Sequence, residues 1–296
     1  MKNLIALSAA LGLLAACSRT DRSGASGGHA VIQNKGSDTL VNVAQAWAEA
    51  YKKVDANVAI AVTGGGSGTG IAAIINGTVD IANASRSMKA EEIKTAEAKG
   101  VHPKEFIVGY DALAVFLHKD NPIGEVTLAQ LASVYGEDGT VTKWSQLGVQ
   151  VPGCPSDEII RVSRQNNSGT FVYFKEAVLG EGKDYKLGSR DMHGSKDVAD
   201  LVSKTPCAIG YSGLAYATPA LKVPCVKKAD DAACVPPTIA SAVDRSYPIA
   251  RPLFMYTNGE PTGATKGYLD WILSDVGQCI MVNKGYAPAR PVKCDG

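Results

Sequence analysis

The residues best suited to chemistry lie between Arg164 and Phe174, in the run Arg-Gln-Asn-Asn-Ser-Gly-Thr-Phe-Val-Tyr-Phe. Ile159, Ile160 and Val162 before it read as a short strand. Phe171, Phe174, Ala177 and Val178 after it recur at helical spacing. Ser168, Gly169 and Thr170 therefore stand where a strand turns into a helix. The first N–H groups of a helix have no partner within it, and the dipole there is positive. Ser168 and Thr170 add hydroxyls, and Gly169 lets the backbone approach closely. Arg164 adds a planar, permanent cation that suits a tetrahedral oxyanion. The expected chemistry is an anion socket. The alternative is a plain N-cap with Arg164 in a surface ion pair.

Two more turns have the same make-up, Ser37-Asp38-Thr39 and Gly66-Ser67-Gly68-Thr69. Each opens a helical pattern with hydroxyls and free N–H groups. A buried, dehydrated anion needs many donors at once, so three such turns with an arginine make a stronger signal than one. A hydrogen bond to a charged group contributes roughly 1.5–3 kcal/mol, so several could hold an oxyanion without a metal. The glycine run Gly64–Gly70 fits no nucleotide motif: no lysine follows Gly70, and no frame gives Gly-x-Gly-x-x-Gly. Nor is it a nucleophile elbow, because Thr69 stands where Gly-x-Ser-x-Gly needs its last glycine.

These turns need strands and helices to hold them. Ala30–Gln33, Val58–Val62 and Val79–Ala82 read as strands. Leu40, Val43, Ala44, Trp47, Ala48 and Tyr51 trace one helical face, and Ile71, Ile74 and Ile75 another. Ala90–Lys99 reads as a charged, exposed helix. Phe106–Val108 and Leu113–His118 read as two strands joined by Gly109–Ala112. Leu128–Tyr135 and Val198–Val202 read as helices, Ala208–Tyr211 and Leu253–Tyr256 as strands, and Gly263–Ile280 as mostly helical. Lys227–Pro237 reads as a loop. Alternation of strand and helix predicts α/β sheets with helices on both faces. Ligands bind such sheets at the carboxyl ends of the strands, where all three turns fall.

The chain has 296 residues, 45% hydrophobic, enough for one large or two medium domains with a sizeable core. A net charge of +1 and 6% aromatic residues give no case for nucleic acid. Lys2 and the apolar Leu4–Ala16 read as an export signal, too short to span a bilayer as a mature helix. The signal ends Leu14-Ala15-Ala16-Cys17, which resembles the lipobox of bacterial lipoproteins. That resemblance implies cleavage before Cys17, lipidation of Cys17 and attachment to a membrane of the cell envelope. The alternative is an ordinary secretory signal. Ser18 after the cysteine would favour the outer membrane in a Gram-negative host. Ser18–Gly28 is polar and glycine-bearing and reads as a flexible tether.

Six cysteines remain: Cys154, Cys207, Cys225, Cys234, Cys279 and Cys294. In an exported chain an even number suggests disulfides, though six allow about 15 pairings. Joining local neighbours gives Cys225–Cys234 and Cys279–Cys294, leaving Cys154–Cys207. Zinc is the alternative, but there is no Cys-x-x-Cys and the four histidines are scattered. No metal and no cofactor are expected.

From Ile32 to about Ala287 the chain resembles the phosphate-binding subunit of the bacterial phosphate ABC transporter. The matching stretches are Gly36–Leu40, Gly64–Gly68, Val79–Ala82 with Ser85, and Arg164 with Ser168-Gly169-Thr170. The resemblance implies that Thr39, Leu40, Ser67, Arg164, Ser168, Gly169 and Thr170 bind phosphate. It also implies a two-lobed periplasmic-binding-protein fold of type II, with two crossover segments and a cleft that closes on the ligand. The crossovers are expected near Gly109–Ala112 and Ile249–Pro252. Residues 1–16 would then be signal and 17–28 lipidated tether, with 29–109 plus 250–296 as lobe one and 110–249 as lobe two. One position departs: the best-known members carry aspartate after the serine matching Ser85, where this chain has Arg86. That aspartate accepts the proton of hydrogen phosphate, and an unpaired acceptor rejects sulfate. Arg86 cannot accept, but would attract an anion, so it joins the expected site unless it pairs with Glu91 or Glu92. Asp38 or Asp111 could supply the acceptor, and Asn166 could orient Arg164.

The leading expectation is a monomeric, lipid-anchored protein that captures inorganic phosphate and delivers it to an ABC permease. Sulfate or another tetrahedral oxyanion is the alternative ligand, and phosphate sensing the alternative role. An exported phosphatase using Ser67 or Ser168 is the reading from another class. It lacks a recognisable base, metal motif or acid pair.

Overall fold

The computed structural model describes residues 29–294. Cys17, the signal and the tether lie outside the described residues. The chain begins with strand β1 (Ala30–Gly36), helix α1 (Val41–Tyr51), β2 (Val58–Thr63), α2 (Ser67–Ile75), β3 (Ile81–Ala84) and α3 (Ala90–Ala98). α1 buries Val43, Ala44, Trp47, Ala48 and Tyr51, the face its spacing predicts. Strand β4 (Pro103–His118) follows, then β5 (Glu125–Thr127), α4 (Leu128–Tyr135), β6 (Ile160–Arg164), α5 (Gly169–Phe174) and β7 (Arg190–Met192). Next come α6 (Ser195–Ser203), β8 (Ala208–Gly213), β9 (Leu221–Lys222), β10 (Cys225–Lys227) and α7 (Ile239–Val243). β11 (Ala250–Asn258), α8 (Gly263–Ile272), α9 (Asp275–Asn283) and β12 (Ala287–Pro288) complete it.

Strands run β2-β1-β3-β11-β4-β8-β6-β7 across one path, with β9 and β12 also on β4. β1 pairs in parallel with β2 and β3, and β6 with β7 and β8. The antiparallel β4–β11 pair joins the two parallel groups. Alternate residues of each strand feed opposite cores. Leu253 and Met255 of β11 pack with Leu40, Trp47 and Ile81, whereas Phe254 and Tyr256 pack with Ile71 and Ile74. Further along, Leu113, Val115 and Leu117 of β4 join Tyr135 and Phe174, whereas Ala114 and Phe116 join Val162 and Val198. Each parallel group is thus covered on both faces, as such sheets require.

β4 corrects the sequence reading. Gly109–Ala112 is not a joint between two strands but the middle of one 16-residue strand. Its residues pair with β11, Asp111 opposite Arg251 and Ala112 opposite Ala250, so no turn forms. Glycine at 109 answers to space: a Cβ there would lie 2.3 Å from Met281 Sδ and 2.6 Å from the Ala287 carbonyl oxygen. The expected helix over Gly263–Ile280 is two helices, because Ser274 caps the start of α9. β7 and α7 carry too little periodic pattern to be read from three and five residues.

The six cysteines pair as local neighbours predict: Cys154–Cys207, Cys225–Cys234 and Cys279–Cys294. The thiols that zinc would need are therefore taken. Cys154–Cys207 closes a separation of 53 residues. Chain entropy assigns such a loop about 4 kcal/mol, and removal of native disulfides costs about 2–5 kcal/mol. Replacing both cysteines with alanine is expected to lower the urea midpoint accordingly. An unchanged midpoint would contradict that role. Among the described residues no helix is long and apolar enough to cross a membrane.

Candidate functional site

The three turns meet where the sheet's two parallel groups face each other. Ser37 precedes a short 3-10 turn over Asp38–Leu40, Ser67 opens α2, and Ser168 caps α5. The Thr170 N–H donates to Ser168 Oγ at 3.1 Å. Thr39, Ser67, Arg164, Ser168 and Thr170 are all at most 2% exposed. The hydroxyls form a cluster. Ser37 Oγ donates to Ser85 Oγ at 3.0 Å, and the Ser85 N–H donates to Ser67 Oγ at 3.0 Å. Ser67 Oγ and Ser85 Oγ lie 3.3 Å apart, Thr39 Oγ1 and Thr170 Oγ1 3.0 Å apart. Gly169 comes closest to the opposite turns: a Cβ there would lie 2.3 Å from Ser67 Oγ and 2.6 Å from Ser85 Oγ. The Leu40 N–H is engaged by the Ser37 carbonyl at 3.1 Å, and the Leu40 side chain lies in the core.

Arg164 ends β6 and is held on every side. Nη2 donates to Asp38 Oδ2 at 3.1 Å and to the His193 carbonyl at 2.7 Å. Nη1 donates to Ser195 Oγ at 2.9 Å, and Nε to the Met192 carbonyl at 3.3 Å. Burial pulls the guanidinium below its ordinary pKa, and the Asp38 carboxylate opposes that pull. Asn166, expected to orient Arg164, is exposed and is not among these partners. Asp38 has both oxygens engaged, because Oδ1 accepts the Gly65 N–H at 3.0 Å.

A second buried arginine, absent from the sequence reading of the site, stands at the same cluster. Arg251 Nη2 donates to Asp111 Oδ2 at 2.7 Å and reaches Thr39 Oγ1 at 3.2 Å and Thr170 Oγ1 at 3.1 Å. Nε also donates to Asp111 Oδ2, at 3.1 Å, and Nη1 donates to the Ser85 carbonyl at 3.3 Å. Burial pushes the Asp111 carboxyl up, and Arg251 works against that. Asp111 Oδ1 is buried with no partner in good hydrogen-bond geometry, and the Leu214 N–H nearby also favours the carboxylate. The signal for Arg251 was a lone cation inside the apolar strand Ala250–Tyr256.

Further contacts tie the two sides of the cluster. Asn167 Nδ2 donates to the Gly65 carbonyl at 3.0 Å, and its own carbonyl accepts the Gly68 N–H at 2.9 Å. Tyr216 Oη donates to the Asp38 carbonyl at 2.7 Å, and Tyr286 Oη to the Thr39 carbonyl.

Arg86, expected among the anion ligands, turns elsewhere. Nη1 and Nη2 take both oxygens of Glu92, at 2.8 and 2.7 Å, and Nη1 also reaches the Ser87 carbonyl. Of the two acids considered for this pair it is Glu92, and with Arg86 6% exposed the pair is partly buried rather than on the surface. Burial works to raise the Glu92 carboxyl, but hydrogen bonds from Arg86 and the Lys89 N–H hold it below its ordinary value. A carboxyl depressed on folding stabilises above its unfolded pKa, about 4.3, and that gain is lost as pH falls through the lower folded value. Glu92→Ala is therefore expected to cost about 1–3 kcal/mol at pH 7. The gap from wild type should close as pH drops below about 4.3. Thermal unfolding across pH 7 to 3 checks this, and a pH-independent gap would contradict the ion pair.

Residues 23–276 match the family profile described as the PBP superfamily domain. The phosphate-binding protein PstS of Pseudomonas aeruginosa is 35% identical over 276 residues, covering 89% of this chain and 84% of its own length. Protein SphX of Synechococcus elongatus is 32% identical over 277 residues, covering 89% of this chain and 79% of its own. A solved structure of a candidate phosphate ABC transporter substrate-binding protein with bound phosphate, from Clostridium perfringens, gives a TM-score of 0.77 at 29% identity. That match covers 88% of this chain and 100% of the other.

Proposed function

We propose a function from one premise: this chain belongs to the PBP superfamily and, within it, to the family of the phosphate-binding protein PstS. It captures inorganic phosphate outside the cytoplasm and delivers it to an ABC permease. The observation that carries this reading is the convergence of Thr39, Ser67, Ser168 and Thr170 from three strand-to-helix turns, with Ser85 just after β3 and with Arg164. Such a set offers charge-assisted and hydroxyl donors from several directions, which suits a tetrahedral oxyanion. Hydroxyls that now bond one another can turn their protons to the ligand. We assign Thr39, Ser67, Arg164, Ser168, Gly169 and Thr170 to phosphate, with the Leu40 backbone at the rim. Asp111 Oδ1 has spare capacity to accept the proton of hydrogen phosphate, whereas Asp38 does not.

We take residues 29–109 with 250 onward as one lobe and 110–249 as the other, hinged at the β4–β11 pair. Cores on either side of Asp111 and Arg251 support that division. Ser67 Oγ meets Ser85, and Ser168 Oγ meets the Thr170 N–H, so binding rather than hydrolysis is the role we assign both serines. Attachment through a lipid on Cys17 and action as a monomer belong to the same proposal.

The test is uptake of labelled phosphate at limiting concentration by a host strain in which this chain is the sole phosphate-binding protein. Deleting the chain is expected to stop uptake, and the wild-type chain but not Arg164→Ala should restore it. Uptake that persists without the chain would overturn delivery as its role.

A further inference from the structure

We infer that Arg251 is a second anion-binding arginine, mounted on the hinge strand and shared by both sides of the cleft. The inference rests on the phosphate-binding reading. Arg251 lies opposite Asp111 where β4 and β11 pass between the two sets of cores. It is 1% exposed, and burying a guanidinium is costly unless its donors meet matched partners. Its Nη2 carries two hydrogens yet has three acceptors in range: Asp111 Oδ2, Thr39 Oγ1 and Thr170 Oγ1. Asp111 takes the shortest of these bonds, which leaves one hydrogen between two threonine oxygens.

Those threonines come from opposite turns, Thr39 before α1 and Thr170 in α5. An oxyanion oxygen seated between them would receive both hydroxyl protons and the Nη2 hydrogen that the two threonines now share. It would replace a strained three-way sharing with separate donor-acceptor pairs. Arg164, by comparison, belongs to β6 alone and has its donors spread over Asp38, Ser195 and two carbonyls. Because β4 and β11 run through both sets of cores, Arg251 keeps its place when the sides part. The anion therefore meets Arg251 in the open form, and closure adds the hydroxyls of the second side. The face of Tyr173, 5.8 Å from the guanidinium carbon, helps hold the plane in position.

A bare structural brace between the strands would show the same Asp111 pair, so the test must separate the two roles. The double variant Asp111→Asn with Arg251→Gln removes both charges together and leaves no buried ion unpaired. Calorimetric titration with phosphate is expected to show a Kd at least tenfold weaker than that of Asp111→Asn alone, with near-ultraviolet dichroism unchanged. A folded double variant whose Kd lies within tenfold of the Asp111→Asn value would overturn the assignment. A crystal structure of the wild-type protein grown with phosphate decides the same point without any substitution. An Arg251 nitrogen within hydrogen-bond distance of a phosphate oxygen is expected, and none within reach would overturn it. If wild-type protein binds no phosphate at all, the parent reading falls with it. Wild-type binding beside an unaffected variant removes Arg251 alone.

Discussion

Arg164→Ala is expected to weaken phosphate binding by at least about 100-fold. Truncating one partner of a buried, hydrogen-bonded charge pair across a binding interface costs roughly 2–5 kcal/mol of binding, and about 1.4 kcal/mol is a factor of ten in affinity. Two effects add here. The anion loses a permanent cation, and Asp38, which the guanidinium neutralises at 3.1 Å, is left facing the incoming charge. Asp38 is only 11% exposed, so water screens it poorly. Arg164→Lys should recover part of the loss, because an ammonium restores the charge but not the planar fork. Calorimetry on both variants checks the order wild type, lysine, alanine. Equal affinities for alanine and wild type would contradict the placement of the site.

Gly169→Ala is expected to reduce affinity comparably, by a different route. The added Cβ would sit 2.3 Å from Ser67 Oγ and 2.6 Å from Ser85 Oγ, both side chains that are themselves buried and hydrogen-bonded. Neither hydroxyl can give way without breaking its own bonds. The clash exists only where α5 meets the turns of the opposite side, so it penalises closure and not the folding of either half. The variant should therefore unfold at close to the wild-type temperature yet bind phosphate at least about 100-fold more weakly, as loss of roughly 3 kcal/mol of closed-state contact implies. Small-angle scattering should show it failing to contract on adding phosphate. A variant that contracts and binds as wild type does would contradict the close approach.

What the sequence disclosed follows the range of the interactions. Arg164, Ser168, Gly169 and Thr170 lie within one strand-to-helix turn, so their joint chemistry was visible from spacing alone. Thr39 and Ser67 were visible for the same reason, each heading its own helix. Their shared place at the carboxyl ends of strands suggested one site, and the family resemblance added phosphate as its ligand. Arg251 stayed hidden because its partners are Asp111, 140 positions away, and Thr39, 212 positions away. Strand register decides that contact, and register is written in pairings that no single segment carries. Gly109–Ala112 misled because glycine and aspartate are turn formers, whereas here Gly109 makes room for Met281 and Asp111 meets a buried arginine. Arg86 was placed by family position, whereas here both its Nη atoms face Glu92, six positions away.

The most direct test of the central claim is calorimetry on residues 29–294 after removal of any ligand by partial unfolding, titrated with phosphate and then with equimolar sulfate. The expected result is saturable phosphate binding that sulfate does not displace, with Asp111→Asn losing that discrimination. Displacement by sulfate would contradict Asp111 as the acceptor. The absence of heat with phosphate would contradict the account at its centre.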